Sequence, residues 1–385
     1  MKRLLPLALI VPLAVAGCGS SSKTGTGTNS STTASTGSSA TSATTASSGG
    51  SANMNTANPT APVTITEAGS SLLYPYLQTI TPGLSTAYSN VKLSSAAGGS
   101  GAGISDAING TTNLGGSDAY LSPSEFSSNS GLLNIPIVVS SQDVDYNLSG
   151  VSSLKLSGSV LAQIYQGKIT TWNNQAIASL NPGVTLPSEA IVPVRRQDSS
   201  GDTFLFTSLL SKTDPTWSST VSYNTKVNWP SVGAEKDATG NAGMVQVCGA
   251  TPGCIAYIGI SSQSKAEAAG LKAAQLQNAS GAFVANTPSN VLAAVQAGSS
   301  NIPSNLAQPL IYEPGATAYP IVNFEYIVVK SSQSSSSTAQ AIRDFLAYAI
   351  SPTGGSSTTN LAADQFQALP SSVLGPVQTA IASIQ

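Results

Sequence analysis

The chain opens with Lys2 and Arg3, then an apolar run from Leu4 to Ala16 that closes on small residues. That order is a secretory signal peptide over residues 1–17, too short for a membrane-spanning stop-transfer helix. From Gly19 to Pro62 the apolar pattern stops. Nearly every position is Ser, Thr, Gly, Ala or Asn, and Lys23 is the one charge. Such a segment buries too little apolar surface to offset the entropy of ordering it. Residues 18–62 therefore read as a tether, and a Gly/Ser-like coil of that length reaches about 35–40 Å.

After Pro62, short β-rich runs alternate with stretches of helical period. Val63–Thr66, Val91–Ser95 and Asn113–Ser117 read as extended, with helices at Leu73–Ser89 and Ser100–Asn109 between them. Leu133–Tyr146 and Tyr319–Lys330 are longer extended runs. Ile191–Arg195 and Cys254–Ile260 read as strands. Helices are expected at Ser159–Tyr165, Thr203–Leu210, Asn290–Ala297, Thr338–Ile350 and Val373–Ile384. This alternation predicts an α/β protein with βαβ units. Roughly 320 residues remain for folding, enough for two lobes.

Charge narrows the function. Only 8% of residues are charged and the net charge is −2, falling to −4 once Lys2 and Arg3 are cleaved off. A nucleic-acid partner is not expected of such a surface. The chain has no histidine, which rules out a Ser-His-Asp triad and a histidine-held metal. No spacing marks a pair of catalytic carboxylates, so neither an enzyme nor a bound cofactor or metal is expected. Trp172, Trp217 and Trp229 are expected to pack in the core.

Three cysteines are present. Cys18 stands at the cleavage point after Val15-Ala16-Gly17, like a bacterial lipobox, and predicts a lipid anchor. Cys248 and Cys254 flank a Thr-Pro-Gly turn in CGATPGC, and a disulfide closing that loop is expected in an exported protein. Their spacing does not fit the C-x-x-C redox motif.

Three segments place small or hydroxyl residues just ahead of a predicted helix: AGSSLLYPY from Ala68, AGGSGAGI from Ala97 and RRQDSSGDTFLF from Arg195. Free N–H groups at helix starts bind anions, although any one of the three could be ordinary capping. GSGAG at Gly99–Gly103 fits neither the dinucleotide fingerprint nor the G-x-x-x-x-G-K-[ST] loop. Asp118, in LGGSDAYLS, could cap a turn or accept a hydrogen bond from a ligand that carries a proton. Arg196 could complement an anion, with Asp198 holding its guanidinium in place.

AGSSLLYP, GGSGAGI, GGSDAYLS, LAQIYQGKITTWNNQAIASLNPGVTLP, VPVRRQDSSGDTFLFTSLL and TPGCIAYIGI occur in that order. Together they resemble the phosphate-binding protein of the phosphate-specific ABC importer, from about Val63 to the C-terminus. The resemblance implies a two-lobed periplasmic-binding-protein fold of type II, each lobe a mixed sheet flanked by helices. Residues 63–140 and 318–385 would form one lobe and 141–317 the other, with crossings near Asn134–Tyr146 and Gly315–Ile321. It implies a monomer that binds inorganic phosphate in the cleft between the lobes and hands it to an ABC permease. The ligand residues it implies are Ser71 and the Leu72 N–H at the first helix start, Ser100 at the second, Asp118 as acceptor, Arg196 as counter-charge, and Ser200, Gly201 and Asp202 at the third. Asp198 and Thr203 would support them. A phosphate-sensing or adhesive surface role would suit the same fold.

Two positions depart from the family's usual pattern. Thr-Phe is usual where this chain has Ser71-Leu72. A small hydroxyl residue is usual where it has Asp202, which removes a donor and adds a carboxylate. Asp202 is expected to turn outward and cap the Thr203 helix, giving the ligand only its backbone N–H. An inward Asp202 would weaken binding or favour the more protonated phosphate.

Overall fold

A computed structural model describes residues 53–385. The signal peptide, Cys18 and residues 19–52 lie outside the described residues, so the anchor is not located. The expected tether runs to Pro62, but Asn53–Pro62 already lies against the folded part. The Ala57 N–H bonds Asp344 Oδ1 at 3.0 Å, Asn58 and Pro59 bond Asn90, and Met54 packs on the core. These contacts are with residues far along the chain, which a composition-based reading of 19–62 does not detect.

A nine-stranded mixed sheet runs through the described residues. In one half, Val63–Gly69 lies between Val91–Ala97 and Leu114–Ser117, parallel to both. Val322–Lys330 then pairs antiparallel with Leu114–Ser117 on one side and Leu132–Tyr146 on the other. In the other half, Cys254–Gly259 pairs antiparallel with the end of Leu132–Tyr146 and parallel with Val192–Arg196, and Lys236–Ala238 follows, also parallel. The βαβ expectation thus holds for the outer strands, and the two long central strands bring in the antiparallel pairings.

Leu132–Tyr146 belongs to both halves. Its residues up to Ser141 pair with Val322–Lys330, and from Gln142 onward they pair with Cys254–Gly259. Fourteen of its fifteen residues are buried, as are eight of nine in Val322–Lys330. Strands covered on both faces read as near-continuous apolar runs; Leu132–Val139 and Tyr326–Val329 do so, which made both strands legible. Each fully buried Val, Ile or Phe contributes about 1.5–3 kcal/mol through its removal from water. Pro136 lacks an N–H for the ladder, and the register shifts opposite it, between Glu325 and Tyr326.

Helices follow the parallel strands and are capped locally. Ser200 Oγ accepts from the Thr203 N–H and starts Gly201–Thr213. Ser100–Asn109 ends at Gly110, whose φ of 73° suits glycine. Tyr74–Ala87 begins next to Pro75, which lacks the N–H that a first helical turn cannot bond anyway. The sequence reading did not include Gly240–Gly249, a helix whose first residues matter below. Cys248 and Cys254 form a disulfide, with their Cα atoms 5.4 Å apart. Trp172 and Trp217 are buried with their indole N–H groups on the carbonyls of Gly253 and Ser222, and Trp229 is partly buried against the core.

Candidate functional site

The ends of five strands converge. Val63–Gly69, Val91–Ala97 and Leu114–Ser117 lead to Ser70–Leu72, Ser100 and Asp118, while Val192–Arg196 and Lys236–Ala238 lead to Asp198–Asp202 and Asn241. Parallel strands present the starts of their following helices at their carboxyl ends, where ligands of open α/β sheets bind. The two halves touch directly here. The Gly101 N–H bonds the Ser199 carbonyl at 3.0 Å, and a Cβ on Gly99, whose φ is 89°, would lie 2.6 Å from that same carbonyl oxygen. Tyr120 meets Phe204 edge to face at 5.5 Å beside this contact.

Arg196 is the centre of charge and is 3% exposed. Its Nε donates to Asp198 Oδ1 at 2.7 Å, its Nη2 to Asp198 Oδ2, and its Nη1 to Asp202 Oδ2 at 2.9 Å. Among the described residues these contacts use three of the guanidinium's five N–H groups. Burial would raise the Asp198 carboxyl, but the guanidinium beside it holds it below its ordinary value.

Asp202 does not turn outward. It is 1% exposed, and its carboxylate points into the cluster. Besides Arg196, it accepts from Asn241 Nδ2 at 2.7 Å and from Gln142 Nε2 at 3.0 Å. The expectation fails because Ser200 already caps the helix, leaving Asp202 in the first turn, beside the guanidinium. Burial pushes its carboxyl up to about 7; the charge of Asp118 adds to the rise and Arg196 opposes it.

Asp118 is buried against Ser70, Ser100 and Glu325. Ser70 Oγ donates to Asp118 Oδ1, and the Asp118 N–H donates to Ser100 Oγ at 3.1 Å. Gly201 packs so closely here that a Cβ would strike both the Asp118 carboxylate and the Ser100 hydroxyl. Glu325, fully buried, accepts from the Ser140 hydroxyl and the Asn323 side-chain amide and lies within electrostatic reach of Asp118. Burial raises both acids, and the charge of Asp118 adds to the rise at Glu325, which stands well above the usual carboxylate range.

Ser100, Asp118, Arg196, Ser200, Gly201 and Asp202 are thus brought together. Ser71 joins them at the edge, accepting from both the N–H and the side-chain amide of Asn241 at 3.2 Å. The Leu72 N–H, expected to face a ligand, instead donates to Ser70 Oγ at 3.0 Å because the Ser70 hydroxyl folds back over the first helical turn. Thr203 directs its hydroxyl to Tyr257, 2.8 Å away, and Tyr257 in turn accepts from the Arg196 N–H. Its role is support.

Sequence reasoning missed Ser70, Asn241, Gln142, Glu325 and Tyr257. Two carried a signal. Thr239-Gly240-Asn241 repeats the small-residue helix start of the other three segments, and Glu325 is the one acid inside an apolar strand. Among the described residues no group of three or more His, Cys, Asp or Glu is placed to hold a metal.

The chain is similar to several known proteins. A family model described as a PBP superfamily domain matches residues 26–353. The phosphate-binding protein PstS of Methanocaldococcus jannaschii is 35% identical over 282 residues, covering 68% of this chain and 72% of the relative. PstS of Pasteurella multocida is 32% identical over 317 residues, covering 82% and 89%. Among solved structures, a phosphate-binding protein from Stenotrophomonas maltophilia superposes with a TM-score of 0.63 at 23% identity, over 82% of this chain and 93% of that one. At that identity the likeness concerns the two-lobed fold.

Proposed function

The chain belongs to the PstS family of phosphate-binding proteins, and we propose that it captures inorganic phosphate between its two lobes and delivers it to an ABC permease. The observation that carries this reading is Arg196: a buried guanidinium fixed by Asp198 in the same cluster as Ser71, Ser100 and the start of the Gly201–Thr213 helix. Helix starts offer partial positive charge without a hydrated counter-ion. One fixed cation with neutral donors suits a small oxyanion, and the job needs no covalent chemistry.

Residues 63–140 with 318–385, and 141–317, serve as the two lobes. Leu132–Tyr146 changes partner at Ser141–Gln142, which supports reading it as one of the two crossings between the lobes. Closure on phosphate would give the permease a shape to recognise. Cys18 carries the lipid, residues beyond it form the tether, and the exported chain acts as a monomer outside the cytoplasmic membrane. Among the described residues no helix is long and apolar enough to cross a membrane.

Asp118 provides discrimination. Near neutrality phosphate keeps a proton to donate to this acceptor, whereas sulfate has none and would set its charge against a buried carboxylate. Titration followed by tryptophan fluorescence is expected to show saturable phosphate binding and no response to sulfate. Asp118→Asn should bring the two anions closer together. A wild type that responds equally to both would overturn the specificity claim.

A further inference from the structure

Among the described residues Arg196 is the only cation bonded within this cluster, and four carboxyl groups surround it: Asp198 and Asp202 on the guanidinium, and Asp118 and Glu325 behind them. Tyr257 is the remaining titratable group facing Asp202, and the other polar contacts, Gln142 and Asn241, are neutral amides. Asp202 takes the Nη1 donor of Arg196, and both of its oxygens already accept hydrogen bonds. A doubly charged phosphate entering beside Gly201 would therefore meet a carboxylate that is fully buried and cannot swing into water. Buried like charges at this range do not both stay ionised.

We propose that Asp202 makes phosphate capture proton-coupled: each phosphate is bound together with one proton from solvent, held between Asp202 and a phosphate oxygen. No bond other than this hydrogen bond forms, and the balance is one phosphate and one proton in, the same pair out on release. The inference rests on the phosphate reading above and deepens it. Asp202 selects the ionisation state that the cleft accepts. The raised Asp202 carboxyl is consistent with a proton becoming available to this group near neutrality.

Titration calorimetry of the mature chain with inorganic phosphate at roughly pH 8, in two buffers of different ionisation enthalpy, counts the protons taken up. Wild type should take up about one proton more than Asp202→Asn, and from pH 7.5 to 9 its apparent Kd should rise up to about tenfold more per pH unit. Asn keeps the shape and one acceptor, and Asp202→Thr gives a second, smaller neutral replacement. Equal proton uptake in wild type and both variants, with binding intact, would overturn the proton-coupling inference alone. No phosphate binding by wild type at any pH would instead overturn the phosphate reading.

Discussion

Two groups of largely buried acids lie on the crossing strand or next to it, and among the described residues only one has a cation. Asp118, Asp198, Asp202 and Glu325 gather around Arg196. On the same strand as Gln142, Asp143 and Asp145 are almost wholly buried with only neutral partners: Tyr319 Oη donates to Asp143 Oδ1 at 3.3 Å and Gln263 Nε2 to Asp145 Oδ1 at 3.2 Å. Burial pushes Asp143 up to about 7, and it lifts Asp145 well above the usual range with the charge of Asp143 adding to the rise. A buried charge needs a partner or a proton. The first group sets its acids around one cation, whereas burial among neutral hydrogen-bond partners favours the protonated forms of the second.

The sharpest way to break this contrast is to remove the cation. Arg196→Met should abolish measurable phosphate binding and cost about 3–5 kcal/mol of stability, because Asp202 stays buried without its partner. Urea unfolding and a phosphate titration check both, and unchanged stability would mean the ion pair is not what offsets Asp202.

The second group should respond in the opposite sense. Folded carboxyls with raised values bind more protons than unfolded ones, so their cost is absent below the ordinary Asp range. It grows as pH rises through about 7. Asp143→Asn with Asp145→Asn should therefore gain about 1–3 kcal/mol at alkaline pH and little at acid pH. Denaturant midpoints at the two extremes measure it, and a gain independent of pH would refute the assignment.

A smaller effect is expected for Asp198, which is partly open to solvent. Asp198→Asn leaves Arg196 charged but loosens its two-point support, so phosphate affinity should fall about tenfold, roughly 1–2 kcal/mol. A loss as large as that from Arg196→Met would show that the brace supplies the charge environment and not merely orientation.

The reach of sequence reasoning follows the same division. Near-continuous apolar runs such as Leu132–Val139, and helix starts with their own capping residues, are local features, and they marked most strands and most of the site. What stayed hidden depends on groups far apart in sequence. The sequence near Asp202 suggests a helix cap; its inward turn is set by Ser200 taking that role and by Arg196, Gln142 and Asn241 arriving from three other elements. Ser70 was overlooked because Ser71 carries the family pattern, yet it is Ser70 that reaches Asp118. The docking of Asn53–Pro62 was invisible for the same reason: its partners, Asn90 and Asp344, are remote.

Equilibrium dialysis of the mature chain against radiolabelled phosphate, with and without a large excess of sulfate, tests the central claim most directly. One phosphate retained per chain, undisturbed by sulfate, is the predicted result. No retention, or displacement by sulfate, would contradict it.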